Sequence, residues 1–242
     1  LFQDKKVRFA LYHLLNRREM IKKFRFGLSE PATGPVDLVS DYASKDVKPV
    51  EFDPQKAKEL LTEAGWKDSD KNGILDKESG GKKTEFKFTL TFANKDSEKY
   101  LTLYKEDLKK AGIDMELKLL EWNSFIKILD DGKFESVNLA WVHPIEWDPK
   151  QIWHSSSSVA GGSNFINYKN PEVDKLIDDA RIELDRKKRI PMLRKVYEAI
   201  AADVPYAFFF NDSNRYYATS SRIKKPKNSF SYGIGEQYWW AE

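Results

Sequence analysis

The sequence contains no cysteine among its 242 residues. Disulfide bonds, cysteine-ligated zinc, iron–sulfur clusters and thiol nucleophiles are therefore excluded. Long apolar runs are absent as well, because the most apolar stretch, residues 206–210, is far shorter than the roughly 18 residues that a membrane-spanning helix needs. A chain without cysteine is compatible with an oxidising compartment.

A strong charge of either sign is also missing. The chain has 41 Lys and Arg against 38 Asp and Glu, a net charge of +3, and the basic residues are spread along its whole length. This distribution gives neither a nucleic-acid footprint nor a membrane-binding stripe, so nucleic acid is not expected as a partner. With 40% hydrophobic residues, the chain is long enough for one large globular domain with a core.

Motifs of catalysis and of nucleotide binding are absent. The chain has three histidines and contains no H-E-x-x-H, G-x-S-x-G, G-x-x-x-x-G-K or G-x-G-x-x-G pattern. His154 is followed by four serines, Ser155 to Ser158, which suggests a hydrolase that uses His154 and Ser155. Neighbours in sequence do not by themselves form a catalytic triad, so this hydrolase is an alternative interpretation.

Apolar periodicity predicts alternating helices and strands. The region 86–92 alternates apolar and polar residues, a helix is expected up to Gly112, and the region 113–119 alternates again. This β-α-β pattern predicts parallel strands in an α/β domain without a separating linker. We further expect one helix from Asp4 to near Gly27, helices after Asp53, Asn170 and within 190–200, strands at 137–142 and 206–210, and a long loop over 143–168.

Several short segments match the pattern of one protein family in order and spacing. These are residues 4–11 with Asn16-Arg17, residues 52–61 with Ala64-Gly65-Trp66, Trp141, Asp148-Pro149, residues 170–177, and Arg189 before Asp203-Val204-Pro205. Over most of its length the chain resembles the C-terminal lobe of family 5 extracellular solute-binding proteins, the peptide-binding partners of ABC importers.

The resemblance implies an α/β fold with a mixed sheet flanked by helices, as one lobe of a two-lobed, type II periplasmic-binding-protein-like architecture. Residues 1–221 are then the C-terminal lobe, and residues 222–242 are a tail that returns toward a missing N-terminal lobe of the same chain. Because a ligand that contacts both lobes stabilises the closed state, capture is expected to occur by hinge closure. The opening at Leu1 predicts a chain that begins inside a longer protein.

The same resemblance implies a monomeric, non-enzymatic receptor in the periplasm or elsewhere outside the cytoplasm. Such a receptor captures a small solute, a peptide or an oligosaccharide, without a cofactor, and delivers it to an ABC permease in the membrane. Two alternatives from other classes stay open: the hydrolase based on His154 and Ser155, and a calcium-dependent carbohydrate-binding module.

The candidate ligand contacts lie at the start of the long loop. Aromatic faces with a few polar groups suit solute capture, and Trp141 is expected at a strand end that opens toward the cleft. The predicted ligand-binding residues are Trp141, His143, Glu146, Trp147 and Asp148. Of these, His143 offers a hydrogen bond, whereas Asp148 also fits the Asp-Pro turn of the family.

One position departs from the family pattern. In peptide-binding members, an Asp three residues beyond the Trp that matches Trp141 pairs with the amino terminus of the peptide. Pro144 stands at that position here and has no charge-assisted contact to offer. Glu146, two residues further on, is the candidate to hold a cationic group in its place. The ligand is therefore a peptide or another solute such as an oligosaccharide.

A separate segment resembles the first half of a calcium-binding loop. Asp68, Asp70 and Asn72 precede Gly73 in a D-x-D-x-N-G pattern, and Asp76 falls at the ninth position. The twelfth position, where calcium loops carry a bidentate Glu, is Ser79. The predicted metal ligands are Asp68, Asp70, Asn72 and Asp76, with a polar turn as the alternative.

Overall fold

The computed structural model describes residues 1–142, 144, 146–212, 218–226 and 236–242. Within these ranges the α-helices are α1 (Lys5–His13), α2 (Arg17–Phe24), α3 (Pro54–Glu63), α4 (Glu98–Lys110), α5 (Trp122–Asp130), α6 (Lys150–Trp153), α7 (Pro171–Ile182) and α8 (Arg186–Asp203). The strands are β1 (Ser29–Pro31), β2 (Asp76–Ser79), β3 (Lys82–Glu85), β4 (Lys87–Phe92), β5 (Asp114–Leu119), β6 (Ser136–Asn138), β7 (Phe210–Asp212), β8 (Ile223–Lys224) and β9 (Trp240–Ala241). None of the helices described combines the length and apolar character that crossing a bilayer requires.

The first apolar repeat forms two helices, so the prediction of one helix from Asp4 to Gly27 is wrong. The carboxylate of Asp4 accepts the backbone N–H of Lys6 at 2.8 Å and begins α1. Asn16 interrupts the repeat, because its side chain accepts the backbone N–H of Glu19 at 3.3 Å and caps a new helix, α2. The apolar spacing continues across this break, which is why the pattern alone does not reveal it.

The central sheet is parallel, with strand order β5-β4-β6. Helix α4 connects β4 to β5, so the predicted β-α-β unit is confirmed. The predicted strand at 137–142 is shorter than expected, because β6 pairs only with the last three residues of β4, and β4 ends at Phe92. Antiparallel pairs occur in three separate two-stranded sheets, β1-β7, β2-β3 and β8-β9.

Two hydrophobic cores support the lobe. The first core lies between the central sheet and helices α1, α3 and α4, and the second is built on α7 and α8. Buried residues of the first include Phe86, Phe92, Leu101 and Leu108, and those of the second include Tyr42, Trp153, Val173, Ile177 and Tyr197. Burial of aromatic and branched side chains on this scale is the main stabilising contribution in both.

The apolar segment 206–210 joins the two cores instead of forming the predicted buried strand. Of these five residues only Phe210 belongs to a strand, β7, which pairs antiparallel with β1. Tyr206 packs against the second core, Phe209 against the first, and Phe208 against both. Because its side chains serve cores on different sides, the segment is half-buried and does not alternate as a strand does.

The predicted division at residue 221 stays a prediction. In the described part of the tail, β8 pairs antiparallel with β9, so that Lys224 lies opposite Trp240. Among the described residues of the predicted loop 143–168, the sequence did not indicate α6, which is followed by a 3₁₀ turn at Ser155–Ser157. Pro191 is the sixth residue of α8, within its first two turns.

Candidate functional site

The three parallel strands end in one row, which we call the carboxyl edge of the sheet. Phe92 at the end of β4 lies opposite both Leu119 at the end of β5 and Asn138 at the end of β6. In open α/β sheets, ligands bind in the crevice outside the carboxyl ends of the strands. The carboxyl edge is therefore the place in this fold where a ligand site is expected.

Two tryptophans follow this edge at equal distance along the chain. Trp122 lies three residues beyond Leu119, and Trp141 lies three residues beyond Asn138. The Trp122 side chain is 56% exposed at the start of α5, although an aromatic ring of this size is usually covered. Sequence reasoning missed Trp122, and the signal available was its position directly after a predicted strand.

Trp141 follows the carboxyl edge along the chain and packs partly against the second core. Its ring stacks on Phe165 with centroids 5.9 Å apart and planes inclined by 13°, and the residue is half-buried. Val142, the next residue, is 89% exposed. This placement agrees with the expectation that Trp141 stands at a strand end, and its contact with a ligand stays a prediction.

Trp147 belongs to the second core. Its side chain is 5% exposed and packs against Tyr42, with ring centroids 6.4 Å apart. Burial of this extent leaves little surface for a ligand, so the structure gives Trp147 a packing role. His143, which we predicted as a hydrogen-bonding contact, lies outside the described residues.

Glu146 is bound to side chains of the protein itself. Its carboxylate accepts hydrogen bonds from the Tyr42 hydroxyl, from Arg186 Nε at 2.8 Å and from an Arg189 amino group at 3.2 Å. The hydrogen bond from Tyr42 and the neighbouring arginines lower the pKa of Glu146 to about 2. Two guanidinium groups thus occupy the place of the ligand cation that the sequence assigned to Glu146.

Asp148 has structural partners as well. One carboxylate oxygen accepts the backbone N–H of Lys150 at 3.0 Å, and the other accepts Arg181 Nε at 3.0 Å. The first bond closes the Asp-Pro turn before α6, and the second ties this turn to α7. A ligand contact of Asp148 stays a prediction, whereas its role in the turn is present in the structure.

The structure does not have the geometry that the hydrolase alternative requires, a hydrogen bond between Ser155 and His154. The Ser155 hydroxyl donates to the carboxylate of Asp174 at 2.5 Å and not to His154. His154 Nδ1 accepts the backbone N–H of Ser156 at 3.0 Å, so the ring proton resides on Nε2, which faces Asp178 at 3.3 Å. His154 is only 8% exposed. Its basic nitrogen is therefore engaged in local structure and does not activate Ser155.

The calcium-like loop brings three of its four predicted ligands together. Carboxylate oxygens of Asp68, Asp70 and Asp76 lie within 4.8 Å of one another. The ammonium group of Lys83 lies 2.5 Å from Asp70 and 3.3 Å from Asp76, and it lowers the pKa of Asp70. The side-chain nitrogen of Asn72 donates to Glu85 at 2.8 Å. A lysine thus already neutralises part of this cluster, and metal binding there stays a prediction.

The family comparison defines the class of protein. In the described residues, Trp122 and Trp141 follow the ends of two parallel strands, and the Ser155 hydroxyl is bonded to Asp174. The chain belongs to family 5 of the bacterial extracellular solute-binding proteins: the family model described as "Bacterial extracellular solute-binding proteins, family 5 Middle" matches residues 1–164. The family resemblance found in the sequence is therefore confirmed, and the assignment to the C-terminal lobe stays a prediction.

Peptide-binding proteins are among the most similar relatives. The oligopeptide-binding protein AppA of Bacillus subtilis is 36% identical over 218 residues, which are 88% of this chain and 40% of that protein. The structure of AppA with a nonapeptide superposes with a TM-score of 0.84 at 32% identity, covering 100% of this chain and 48% of AppA. An oligopeptide-binding protein of Thermus thermophilus with a pentapeptide gives a TM-score of 0.78 at 26% identity, over 86% of this chain and 37% of that protein.

The chain thus spans about two fifths of the length of its curated relatives. Those relatives are named as binding proteins and not as enzymes. The α/β fold class predicted from the sequence is confirmed by the AppA superposition over the whole chain. In the described residues the sheet flanked by helices is parallel, and the antiparallel pairs lie in separate sheets.

Proposed function

We propose that this chain is one lobe of the substrate-binding component of an ABC importer, and that this component captures peptides. The observation that carries the proposal is the carboxyl edge, where the exposed ring of Trp122 and the stacked ring of Trp141 stand at matching positions beyond parallel strands. An aromatic surface of this kind covers apolar groups of a ligand without requiring one particular side chain.

Peptide is favoured over other solutes by two of the similar solved structures. The structures at 32% and 26% identity were solved with a nonapeptide and a pentapeptide. A relative at 25% identity, NikA of Brucella suis, was solved with Fe(III)-EDTA. The same fold therefore holds different ligands, and the choice of peptide depends on the residues at the edge and not on the fold alone.

Capture is proposed to occur by hinge closure against a second lobe of the same protein. This lobe supplies an aromatic floor, and the opposite lobe covers the ligand, so that only the liganded protein is held closed. The complete protein is proposed to act as a monomer outside the cytoplasm, in the periplasm or on the cell envelope, and to deliver its ligand to a membrane permease. The family is one of extracellular proteins, which supports this location.

Calorimetric titration of the complete protein with a nonapeptide and a pentapeptide tests the proposal. Replacement of Trp122 or Trp141 by Ala is expected to raise the Kd about thirtyfold, the usual cost of truncating a central aromatic anchor. Trp240→Ala is the control, because Trp240 is 52% exposed but lies in the two-stranded β8-β9 sheet. Peptide binding that is insensitive to both edge variants, or binding of oligosaccharides alone, would contradict the proposal.

A further inference from the structure

Five side chains form a polar cluster around Glu146, which we call the Glu146 cluster: Asp41, Tyr42, Glu146, Arg186 and Arg189. They come from three separate parts of the chain. Besides its bond to Glu146, Arg186 donates to Asp41 at 2.8 Å. The guanidinium of Arg186 also lies 5.7 Å from the centre of the Tyr42 ring. The two carboxylates and two guanidiniums balance in charge.

Two partners of Glu146, Arg189 on α8 and Tyr42, are themselves held in place. The second amino group of Arg189 donates to the carbonyl oxygen of Glu183 at 3.0 Å. Tyr42 is fully buried, with its ring against Trp147. A side chain with fixed partners loses less freedom when it forms a further bond, so the cluster is preorganised around the Glu146 carboxylate.

The cluster therefore helps to anchor the segment 146–148 beside the second core, against which Trp141 also packs. Three consecutive residues of that segment are anchored: Glu146 to the cluster, Trp147 in the second core, and Asp148 to Arg181. Trp141 itself stacks on Phe165 and packs against the second core. Side chains held by a packed core keep their positions before and after a ligand arrives.

We propose that Glu146 is a positioning residue for the ligand site: through Tyr42, Arg186 and Arg189 it holds the part of the second core against which Trp141 packs, so that Trp141 stands ready at the carboxyl edge. The inference depends on the proposed function, since it concerns how that site is built. In this role Glu146 supports the site and does not bind a ligand cation through its own carboxylate.

Two variants of the complete protein separate these roles. Glu146→Gln removes the charge at nearly unchanged volume, and it is expected to raise the Kd for the nonapeptide about tenfold, which corresponds to about 1.4 kcal/mol. Arg186→Gln leaves the carboxylate in place and frees it of its main partner. If Glu146 positions Trp141, Arg186→Gln is expected to weaken peptide binding too. If the Glu146 carboxylate instead binds a ligand cation directly, it would bind that cation equally well or better without Arg186.

The matched control is Glu51→Gln. The Glu51 side chain is 53% exposed and pairs with Arg18, whereas the Glu146 side chain is 50% exposed and pairs with Arg186. Both replacements therefore remove a half-exposed partner of an arginine, and Glu146 differs from Glu51 in its further partners Tyr42 and Arg189. Only the Glu146 variant is expected to change the Kd.

A spectroscopic measurement reports on Trp141 before any ligand is added. In protein labelled with 5-fluorotryptophan, the ¹⁹F resonance of Trp141 is identified by its loss in Trp141→Phe. We expect this resonance to move or broaden in Glu146→Gln and Arg186→Gln and to stay unchanged in Glu51→Gln. A purely stabilising ion pair would not move it in the folded, ligand-free protein.

The outcomes distinguish this inference from the function on which it depends. If the native protein binds no peptide, the proposed function fails. If the native protein binds and both cluster variants bind with the same Kd, the positioning role is overturned and the function stands. A raised Kd in Glu146→Gln with native or tighter binding in Arg186→Gln, and an unchanged Trp141 resonance, overturns positioning in favour of direct contact.

Discussion

The guanidinium of Arg17 donates a hydrogen bond of 2.9 Å to the hydroxyl of Tyr12 in the interior of the lobe. Its carbon Cζ lies 4.6 Å from the centre of the Tyr12 ring, so the same pair forms a cation–π contact. Burial raises the pKa of Tyr12 to about 12 and lowers that of Arg17. Through these two side chains, α1 and α2 are hydrogen-bonded to the backbone at Ala32 and Phe208.

Replacement of Arg17 by Met is expected to destabilise the lobe by about 3 kcal/mol. Arg17 is 3% exposed and donates to the carbonyl oxygens of Ala32 at 2.6 Å, of Phe208 at 3.0 Å and of Val50. Without the guanidinium, these oxygens lose donors in a buried setting. Urea-induced unfolding followed by circular dichroism measures the change.

The control for this prediction is the next residue in the chain. The Arg18 side chain is 63% exposed and forms a surface ion pair with Glu51. Arg18→Met is expected to change the free energy of unfolding by at most about 1 kcal/mol. Equal effects of the two replacements would show that the buried hydrogen bonds of Arg17 do not join these segments.

The contribution of Glu146 to stability is expected to depend on pH. Its pKa in the folded protein is about 2, below its ordinary value of 4.5. A carboxyl group with a lowered pKa stabilises the folded state above its unfolded pKa, and this stabilisation is lost as the pH falls toward the folded pKa. The difference in Tm between the native protein and Glu146→Gln should be largest above about pH 5 and shrink between pH 4.5 and pH 3. A difference in Tm that stays constant across this range would show that the pKa of Glu146 is not lowered in the folded protein.

Calcium is expected to stabilise a Lys83 variant more than the native protein. In the native loop the Lys83 ammonium lies between Asp70 and Asp76. Lys83→Met leaves these carboxylates without their cation, so about 5 mM calcium should raise its Tm by several degrees and that of the native protein by about 1 °C or less. Lys87→Met is the control, because Lys87 pairs with Glu85 outside the three-carboxylate cluster. Equal shifts in all three proteins would exclude a calcium site at this loop.

A peptide with a free amino terminus and its N-acetylated form are expected to bind with Kd values within about twofold of each other. Pro144 carries no charge, and the Glu146 carboxylate already holds two arginines. Calorimetric titration with the two forms of one nonapeptide makes the comparison. A large loss on acetylation would show that a carboxylate does hold the ammonium group, and Glu146→Gln would then report whether that carboxylate is Glu146.

Local features of this fold could be predicted from the sequence. Alternation over residues 86–92 and 113–119 located two adjacent parallel strands, because one face of each is buried against the first core. The break at Asn16 could not be located, since Leu14 and Leu15 continue the apolar spacing while a side-chain cap ends one helix and begins another. Apolar periodicity reports burial, and it does not report where a cap is stronger than the next helical turn.

The site was predictable only in part. Trp141 was predicted from the family pattern and from its place at the end of a predicted strand, and attention to the end of β5 would have located Trp122. The partners of Glu146 could not be found, because Tyr42 is 104 positions away in sequence and Arg186 is 40. No periodicity links such positions, and an acid in a loop looks the same in sequence whether it faces a ligand or two arginines of its own chain.

Native mass spectrometry tests directly whether the complete protein captures peptides. The protein is purified gently from its own host and then denatured to release its ligand. A tightly held ligand survives purification, so the released species identify the natural cargo. We expect released masses that fragment into amino-acid residues, as those of a peptide do. Released sugars or another solute in place of peptides would contradict the proposed peptide receptor, and a protein that neither carries nor afterwards binds any small solute would contradict the receptor function itself.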